Sequence, residues 1–361
     1  MKGPNVSDMC VGPADPIREV IKCIDRSGRV SIALVVDEER HLLDTITDGD
    51  VRRGVLRGIG LDAPASELLA IKAETPHRQP VTAPNDTSSG ELLETMRKCS
   101  VRQVPLLNTE KQVVDIAILG DLLPQQPASV QAVVMAGGLG TRLRPLTEDL
   151  PKPMLPVGGR PLMESIVEQL EQSGIRHINV MTCYKPEKIK EHFGDGSDFG
   201  VELSYVNESQ PLGTAGALGL MERPKEPFLV INGDILTQVN FRALLAYHRE
   251  LKAEMTVGVR HYEVPVPYGV VECEGPNVKQ LTEKPKLNFF VNAGIYLLEP
   301  VVYEHIPSGE RFDMTDLIQR LLDAGRPVVS FPIVEYWLDI GRHADYERAH
   351  EDVKEGRTGG E

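Results

Sequence analysis

Gly137-Gly138-Leu139-Gly140-Thr141-Arg142 is the segment of this chain best suited to chemistry. Glycines let a backbone approach a phosphate closely, and their successive N–H groups can cradle it. Arg142 and Arg144 set cations beside the turn, and Lys152 follows within Pro151-Lys152-Pro153-Met154-Leu155-Pro156-Val157. A lysine between two prolines rides on a stiff backbone, which suits a cation aimed at a phosphate. Two other phosphate loops are excluded. No Gly-Lys-Ser/Thr completes a Walker loop, and no third glycine falls at the Rossmann spacing. A structural tight turn is the alternative for such a segment standing alone.

The elements around these residues must hold them. Val130 to Ala136 is a buried-strand run that ends at the first glycine. Further strands are expected at His177 to Cys183, Val201 to Val206 and Phe228 to Ile231, with helices near Leu162 to Gln172, Phe241 to Lys252 and Met314 to Leu322. Strands alternating with helices predict an α/β domain with a mostly parallel sheet. A chain of 361 residues has room for two domains. The net charge of −14 excludes polynucleotides and anionic membranes as partners. Five scattered cysteines without a C-x-x-C pair suggest neither zinc nor a disulfide framework, but reduced thiols in a cytoplasmic protein. No apolar run is long enough to span a membrane.

The first third of the chain is a repeat. Asp37 to Asp50 and Asn108 to Asp121 align without gaps at an offset of 71 residues, and each half reads as helix, strand, polar turn, strand, helix. This duplication resembles a tandem pair of CBS (cystathionine-β-synthase) domains, which implies a regulatory module. In that family a Ser/Thr-x-x-Asp after an apolar strand holds a ribose, and a carboxylate can accept from both ribose hydroxyls. Thr47, Asp50 and Asp121 match that pattern, but Ile118 replaces the second hydroxyl. One adenine or guanine nucleotide effector near Thr47 and Asp50 is the resulting expectation, with dimerisation alone as its alternative.

The segment GGLGTRLRPLT…PKPMLPV closely resembles the signature of sugar-1-phosphate nucleotidyltransferases, and further blocks follow in that family's order to about residue 350. The mannose-1-phosphate and glucosamine-1-phosphate guanylyltransferases are the most similar members. The resemblance implies a Rossmann-like, GT-A-like domain with a mixed, mostly parallel sheet at 130–350, after a CBS pair at 1–124 and a linker at 125–129, with a flexible tail at 351–361. It also implies site roles. Gly137, Gly138, Gly140, Thr141, Gly213 and Thr214 would hold the nucleotide. Asp234 and Asp339 would hold Mg²⁺. Gly269, Glu283, Lys284 and Asn292 would line the sugar site. Arg142, Lys152, Asp234 and Lys284 would be catalytic. Taken singly, Asp234 could instead cap a helix, and Lys284 or Asp339 could be solvated surface charges.

The reaction implied is in-line attack by a sugar-1-phosphate oxygen on the α-phosphorus. A phosphomonoester's second pKa is about 6, so the nucleophile is already ionised and no general base is required. Glu208 stands five residues before Gly213, which by resemblance puts it against the base edge. A carboxylate only accepts, and guanine offers adjacent N1–H and N2–H donors. GTP is therefore the expected triphosphate, and the GDP-sugar would feed cell-surface glycan or nonulosonate synthesis. The alternatives are the same chemistry with UTP or dTTP and glucose-1-phosphate, a catalytically silent nucleotide sensor, or a scaffold. A homo-oligomer is expected. No hexapeptide repeat follows residue 341, so no C-terminal β-helix is expected.

Overall fold

The 71-residue repeat is matched by a repeated structure. The computed structural model describes residues 6–27, 30–75, 78–99, 101–122 and 130–358, so the expected linker at 125–129 lies outside the described residues. The chain divides into two units, Met1–Pro127 and Ala128–Glu361.

In the first unit, Ile32–Val36 pairs antiparallel with Leu42–Thr47, and Gln103–Leu107 pairs with Val113–Ile118. Ile32 faces Thr47 as Gln103 faces Ile118, and both ladders break register at equivalent places, Val35/Val36 and Leu106/Leu107. The two polar turns also meet. The Leu42 N–H donates to the Lys111 carbonyl and the Val113 N–H to the Arg40 carbonyl, each at 3.4 Å. Arg40 and Lys111 are equivalent across the offset, and both adopt left-handed backbone, with φ of 68° and 63°.

The second unit is built on a seven-stranded sheet. Its strands in chain order are β1 (Gln131–Met135), β2 (His177–Thr182), β3 (Glu202–Asn207), β4 (Phe228–Asn232), β5 (Met255–Pro265), β6 (Lys286–Leu298) and β7 (Val328–Pro332). Their spatial order is β3-β2-β1-β4-β6-β5-β7. The first four are parallel, and β6 runs antiparallel to its neighbours β4 and β5. The continuous apolar run of β1 reflects burial on both faces. Ala132 and Val134 join one core with Leu229 and Ile231 of β4, while Val133 joins the opposite core with Phe228 and Val230.

Helices cover both faces. The helix α1 (Leu162–Gln172) turns Met163, Ile166, Val167 and Leu170 into the first core, the apolar stripe of a one-sided helix. Ile189 and Phe193 of α2 (Pro186–Phe193) and Leu244 and Tyr247 of α3 (Phe241–Glu250) join them there. Met314, Leu317 and Leu321 of α4 (Met314–Asp323) fill the opposite face. The helix α5 (His343–Lys354) continues past the point where a flexible tail was expected. Its Asp352 is buried, accepts from the Tyr336 hydroxyl at 2.8 Å and pairs with Arg357 at 3.1 Å. These partners order Glu351–Lys354 and the residues just after them.

Candidate active site

Chain order dictates where a ligand belongs in this sheet. From β1 the chain moves outward through β2 and β3, then returns to place β4 on the other side of β1. Open α/β sheets bind ligands at such a reversal, beyond the carboxyl ends of the strands. Gly137 follows β1, and Asn232-Gly233-Asp234 closes β4. The Gly233 N–H donates to the Met135 carbonyl at 2.9 Å, tying the two strand ends together. A pocket opens there, lined among others by Gly137, Gly138, Lys152, Glu208, Asp234 and Asp313.

Lys152 is buried in a short turn after Pro151. Its Nζ donates to Asp234 Oδ2 at 2.5 Å and lies 3.9 Å from Asp339 Oδ1. Ile235–Thr237 pairs antiparallel with Trp337–Asp339, so Ile235 faces Asp339, and the Ile340 N–H donates to the Asp234 carbonyl at 3.1 Å. Two carboxylates distant in sequence thus share one lysine. Asp339 is half-exposed at its outer edge, yet partial loss of water and the charge of Asp234 raise its pKa above the usual carboxylate range. Arg142 is exposed in the turn Thr141–Leu143 and contributes to the same field around Asp339.

Asp234 Oδ1 is buried and has no hydrogen-bond partner in the structure. A buried carboxylate oxygen left unpaired is costly unless something cationic meets it. Together with Asp339 it offers hard oxygen donors that fit Mg²⁺. Two carboxylates do not complete a coordination shell, so phosphate oxygens and water would supply the rest. The described residues contain one cluster of three candidate metal ligands, Asp37, Glu39 and His41, in the first unit.

The Gly-rich loop is shaped by what surrounds it. A Cβ at Gly137 would lie 2.7 Å from Glu208 Oε1, so any larger residue would have to displace that carboxylate. Gly140 has φ +61°, and its carbonyl accepts from the Thr147 hydroxyl at 2.8 Å. The segment from Gly140 to Lys152 is then pinned from outside. The Tyr184 hydroxyl reaches the carbonyls of Thr147 and Glu148 at 3.2 and 3.0 Å, and Lys185 Nζ donates to the Glu148 carbonyl at 2.5 Å. His343 Nε2 contacts the Arg144 carbonyl at 3.0 Å.

Glu208 sits at the end of β3, buried, with Oε2 accepting the Leu212 N–H at 3.0 Å. Burial pushes its pKa up, and the Leu212 bond opposes that shift. Gly213, at φ +78°, touches the start of α4, where a Cβ would lie 2.5 Å from Asp313 Oδ1. The Phe312 carbonyl accepts the N–H groups of Ala215 and Gly216 at 3.0 and 2.7 Å, and the Met314 N–H donates to the Thr214 hydroxyl at 2.8 Å.

The residues expected for the sugar site are not among those lining this pocket. Glu283 and Lys284 are exposed on an arm continuing β5 and β6, and Lys284 has φ +46° before Pro285. A Cβ at Gly269 would lie 2.9 Å from Glu283 Oε2, which places those two together. Asn292 is exposed on β6, its Oδ1 accepting the Gly294 N–H at 3.0 Å. Gly294 in turn abuts Asn232, where a Cβ would meet Nδ2 at 2.5 Å. Asp313, Tyr184, Lys185 and His343 were not anticipated. Asp313-x-x-Asp316 reads as a helix-start signal, but nothing in its spacing ties it to Gly213.

In the first unit, Thr47 and Asp50 face each other. The Thr47 hydroxyl and N–H donate to Asp50 Oδ2 at 2.7 and 2.9 Å, and Arg53 donates to Oδ1 at 2.9 Å. Asp50 is buried with both oxygens engaged. Asp121 lies in the short helix Leu119–Leu122, and its side chain is outside the described residues.

Residues 131–356 match the family described as nucleotidyl transferase, and residues 6–57 match the CBS domain. A mannose-1-phosphate guanylyltransferase of Mycobacterium tuberculosis is 34% identical over 235 residues, 63% of this chain and 65% of that protein. A UTP--glucose-1-phosphate uridylyltransferase of Synechocystis is 36% identical over 242 residues, 61% of this chain and 62% of its own length. The chain thus spans just under two thirds of these curated relatives. A crystal structure from Bacillus anthracis assigned to glucose-1-phosphate thymidylyltransferase, in complex with a sucrose, superposes with a TM-score of 0.52 at 27% identity, covering 64% of this chain and all of its own.

Proposed function

We propose that this chain, which belongs to the nucleotidyl transferase family, joins GTP to mannose-1-phosphate or glucosamine-1-phosphate and releases pyrophosphate. One observation carries the reading. Lys152, Asp234 and Asp339 converge beside Gly137 and Gly138 at the reversal of the sheet, with the buried carboxylate of Glu208 in the same pocket. Phosphoryl-transfer catalysis is largely positioning and charge neutralisation, and this site supplies a cation, open backbone at Gly138 and paired carboxylates.

In the reaction, the backbone at Gly137 and Gly138 receives the triphosphate. Lys152 neutralises charge near the α-phosphorus from a fixed position. Arg142 meets the departing pyrophosphate, and Lys284 holds the incoming sugar phosphate while Glu283 accepts from sugar hydroxyls. Asn292 and Gly269 border the sugar. Mg²⁺ held by Asp234 and Asp339 would draw charge from the phosphates. Glu208 reads the base by accepting from guanine N1–H and N2–H. The sequence relatives support the reaction class and divide over the base, one a guanylyltransferase by name and one naming UTP.

The reading includes a cytoplasmic homo-oligomer whose product feeds glycan or nonulosonate assembly. Among the described residues no helix is long and apolar enough to cross a membrane. It also includes a nucleotide effector at the front module. A ribose hydroxyl at Asp50 would share or displace the donors Thr47 and Arg53, which would link occupancy to the start of that helix.

The test is a matrix of GTP, UTP, dTTP and ATP against aldose-1-phosphates, read by pyrophosphate release. GTP with mannose- or glucosamine-1-phosphate is expected to lead. Faster turnover of UTP or dTTP would overturn the base assignment, and no turnover with any pair would favour the silent sensor.

A further inference from the structure

The loop at 211–216 does not stand alone. Its partners come from the segment 310–314, which leads into α4; Thr214 and Asp313 are 99 positions apart. The Phe312 N–H donates to the Leu212 carbonyl at 2.8 Å, and the Phe312 carbonyl takes the N–H groups of Ala215 and Gly216. Both loop glycines serve this contact. A Cβ at Gly213 would lie 2.7 Å from the Phe312 carbonyl oxygen, and one at Gly216 would lie 2.7 Å from that of Glu310.

Side chains close the contact in both directions. The Thr214 hydroxyl accepts the Met314 N–H at 2.8 Å. That N–H belongs to the first turn of α4, where no residue inside the helix can satisfy it. Asp313 stands immediately before α4, and Asp316 Oδ2 accepts its N–H at 3.0 Å. Asp313 Oδ1 turns toward the loop, 3.4 Å from the Thr214 nitrogen and 2.5 Å from the place a Cβ would take on Gly213. Its Oδ2 has the Arg311 guanidinium at 3.5 Å. The loop therefore caps the helix, while the residue before the helix supports the loop.

The other side of the loop is held by Glu208, whose Oε2 accepts the Leu212 N–H at 3.0 Å. Leu212 and Thr214 are thus each met by a carboxylate. Gly213 lies between them at φ +78°, a backbone region that leaves glycine free to adjust. Where Gly213 and Thr214 come to rest is then set by the carboxylate on their far side.

We propose that Asp313 is a positioning residue for the nucleotide, acting through Gly213 and Thr214. This rests on the reading given under Proposed function, in which the pocket beside this loop takes a triphosphate. Asp313 also lines that pocket, but its Oδ1 faces loop backbone and its Oδ2 faces Arg311. A neutral oxygen in the same place would serve the loop equally, because the Thr214 N–H needs an acceptor and not a charge.

Titration of the full-length protein with the fluorescent nucleotides mant-GTP and mant-UTP, with Mg²⁺ present, tests this. Asp313→Ala should weaken binding of both by ~5–10-fold, the usual size of one lost hydrogen bond. Asp313→Asn keeps an acceptor and should bind within about 2-fold of the wild type. Asp316→Ala removes the partner of the Asp313 N–H instead, so it should lower the melting temperature and leave affinity unchanged. A second binding event at the front module would be the same in every variant. Wild-type affinity in Asp313→Ala would overturn the proposal. So would an Asp313→Asn as weak as the alanine variant, which would mean that the ligand needs the charge itself. An Asp316→Ala equally weak would reduce the effect to fraying of α4 and overturn it too. Should Asp313→Ala fail to fold, amide exchange on the wild type decides. Added mant-GTP should slow exchange at 212–216 and at 312–314 together, and protection of the loop alone would overturn the proposal. Binding is read without turnover. A wild type that binds but releases no pyrophosphate defeats the proposed reaction and leaves Asp313 its role, while one that binds neither nucleotide defeats both.

Discussion

Asp339 reaches Lys152 only because its strand pairs directly with the residue after Asp234. The Ile235↔Asp339 register brings together carboxylates more than a hundred positions apart, and the Ile340 N–H to Asp234 carbonyl bond locks that register. A slip of one residue would turn Asp339 to the other side of the ladder.

Asp339→Asn should therefore lower kcat by ~10²-fold or more, because a metal's stabilisation of phosphoryl charge is worth several kcal/mol. The Mg²⁺ concentration giving half-maximal rate should rise as well, with little change in melting temperature. Kinetics at graded Mg²⁺ check this, and near-normal activity at limiting metal would remove Asp339 from the site. Asp234→Ala should also abolish turnover, but it strands the buried Lys152 and should cost measurable stability.

Tyr184→Phe should raise the KM for the triphosphate several-fold. Its hydroxyl is shared between the Thr147 and Glu148 carbonyls, and losing that contact at about 1 kcal/mol loosens the segment carrying Arg142 and Lys152. Steady-state kinetics with the triphosphate varied are the measurement. An unchanged KM would mean that Lys185 and His343 suffice to pin the segment.

Glu208→Gln should narrow the preference for GTP over UTP by ~10–100-fold in kcat/KM. An amide presents a donor where guanine also presents one, and an unmatched buried polar pair costs about 1–3 kcal/mol. The ratio of kcat/KM for the two triphosphates reads the effect. An unaltered ratio would assign base reading to other groups.

His248 makes folding stability depend on pH. It is buried against the Thr256 hydroxyl at 2.7 Å, and burial pushes its pKa down to about 4 from the usual 6.5, with Arg249 adding to the shift. The unfolded chain gains this proton below about 6.5, while the folded chain refuses it until about 4. The contribution is therefore full above 6.5 and lost as pH falls through that window, on the order of 3 kcal/mol in all. Glu299, facing His248 Nε2, has its pKa raised by burial and acts in the opposite sense. Urea midpoints at pH 7 and pH 5 should differ less in His248→Gln than in the wild type.

Much of this architecture was legible because local chemistry and burial agree. The apolar stripe of Leu162–Gln172 and the doubly buried β1 appear where periodicity placed them. The glycines at 137 and 213 pass close to Glu208 and Asp313, side chains that the sequence did not tie to them. Side-chain anchors were less visible. Tyr184 and Lys185 act across the fold on carbonyls, which carry no residue signature. Asp50 was read as a ligand group, and the sequence did not show that it also accepts from Thr47 and from Arg53, one turn along the helix. The tail after Glu351 looked disordered from its charge, while buried Asp352 gathers that charge into partners.

The reciprocal bonds between the two polar turns of the front unit constrain how its halves can diverge. Side chains have drifted freely, as Thr47 and Ile118 show. Turn length cannot drift in the same way. Removing one residue from either turn would misalign the Arg40–Val113 and Lys111–Leu42 bonds together, since each turn supplies one donor and one acceptor. Insertions and deletions in this module should therefore fall between the halves, or arise in both turns at once.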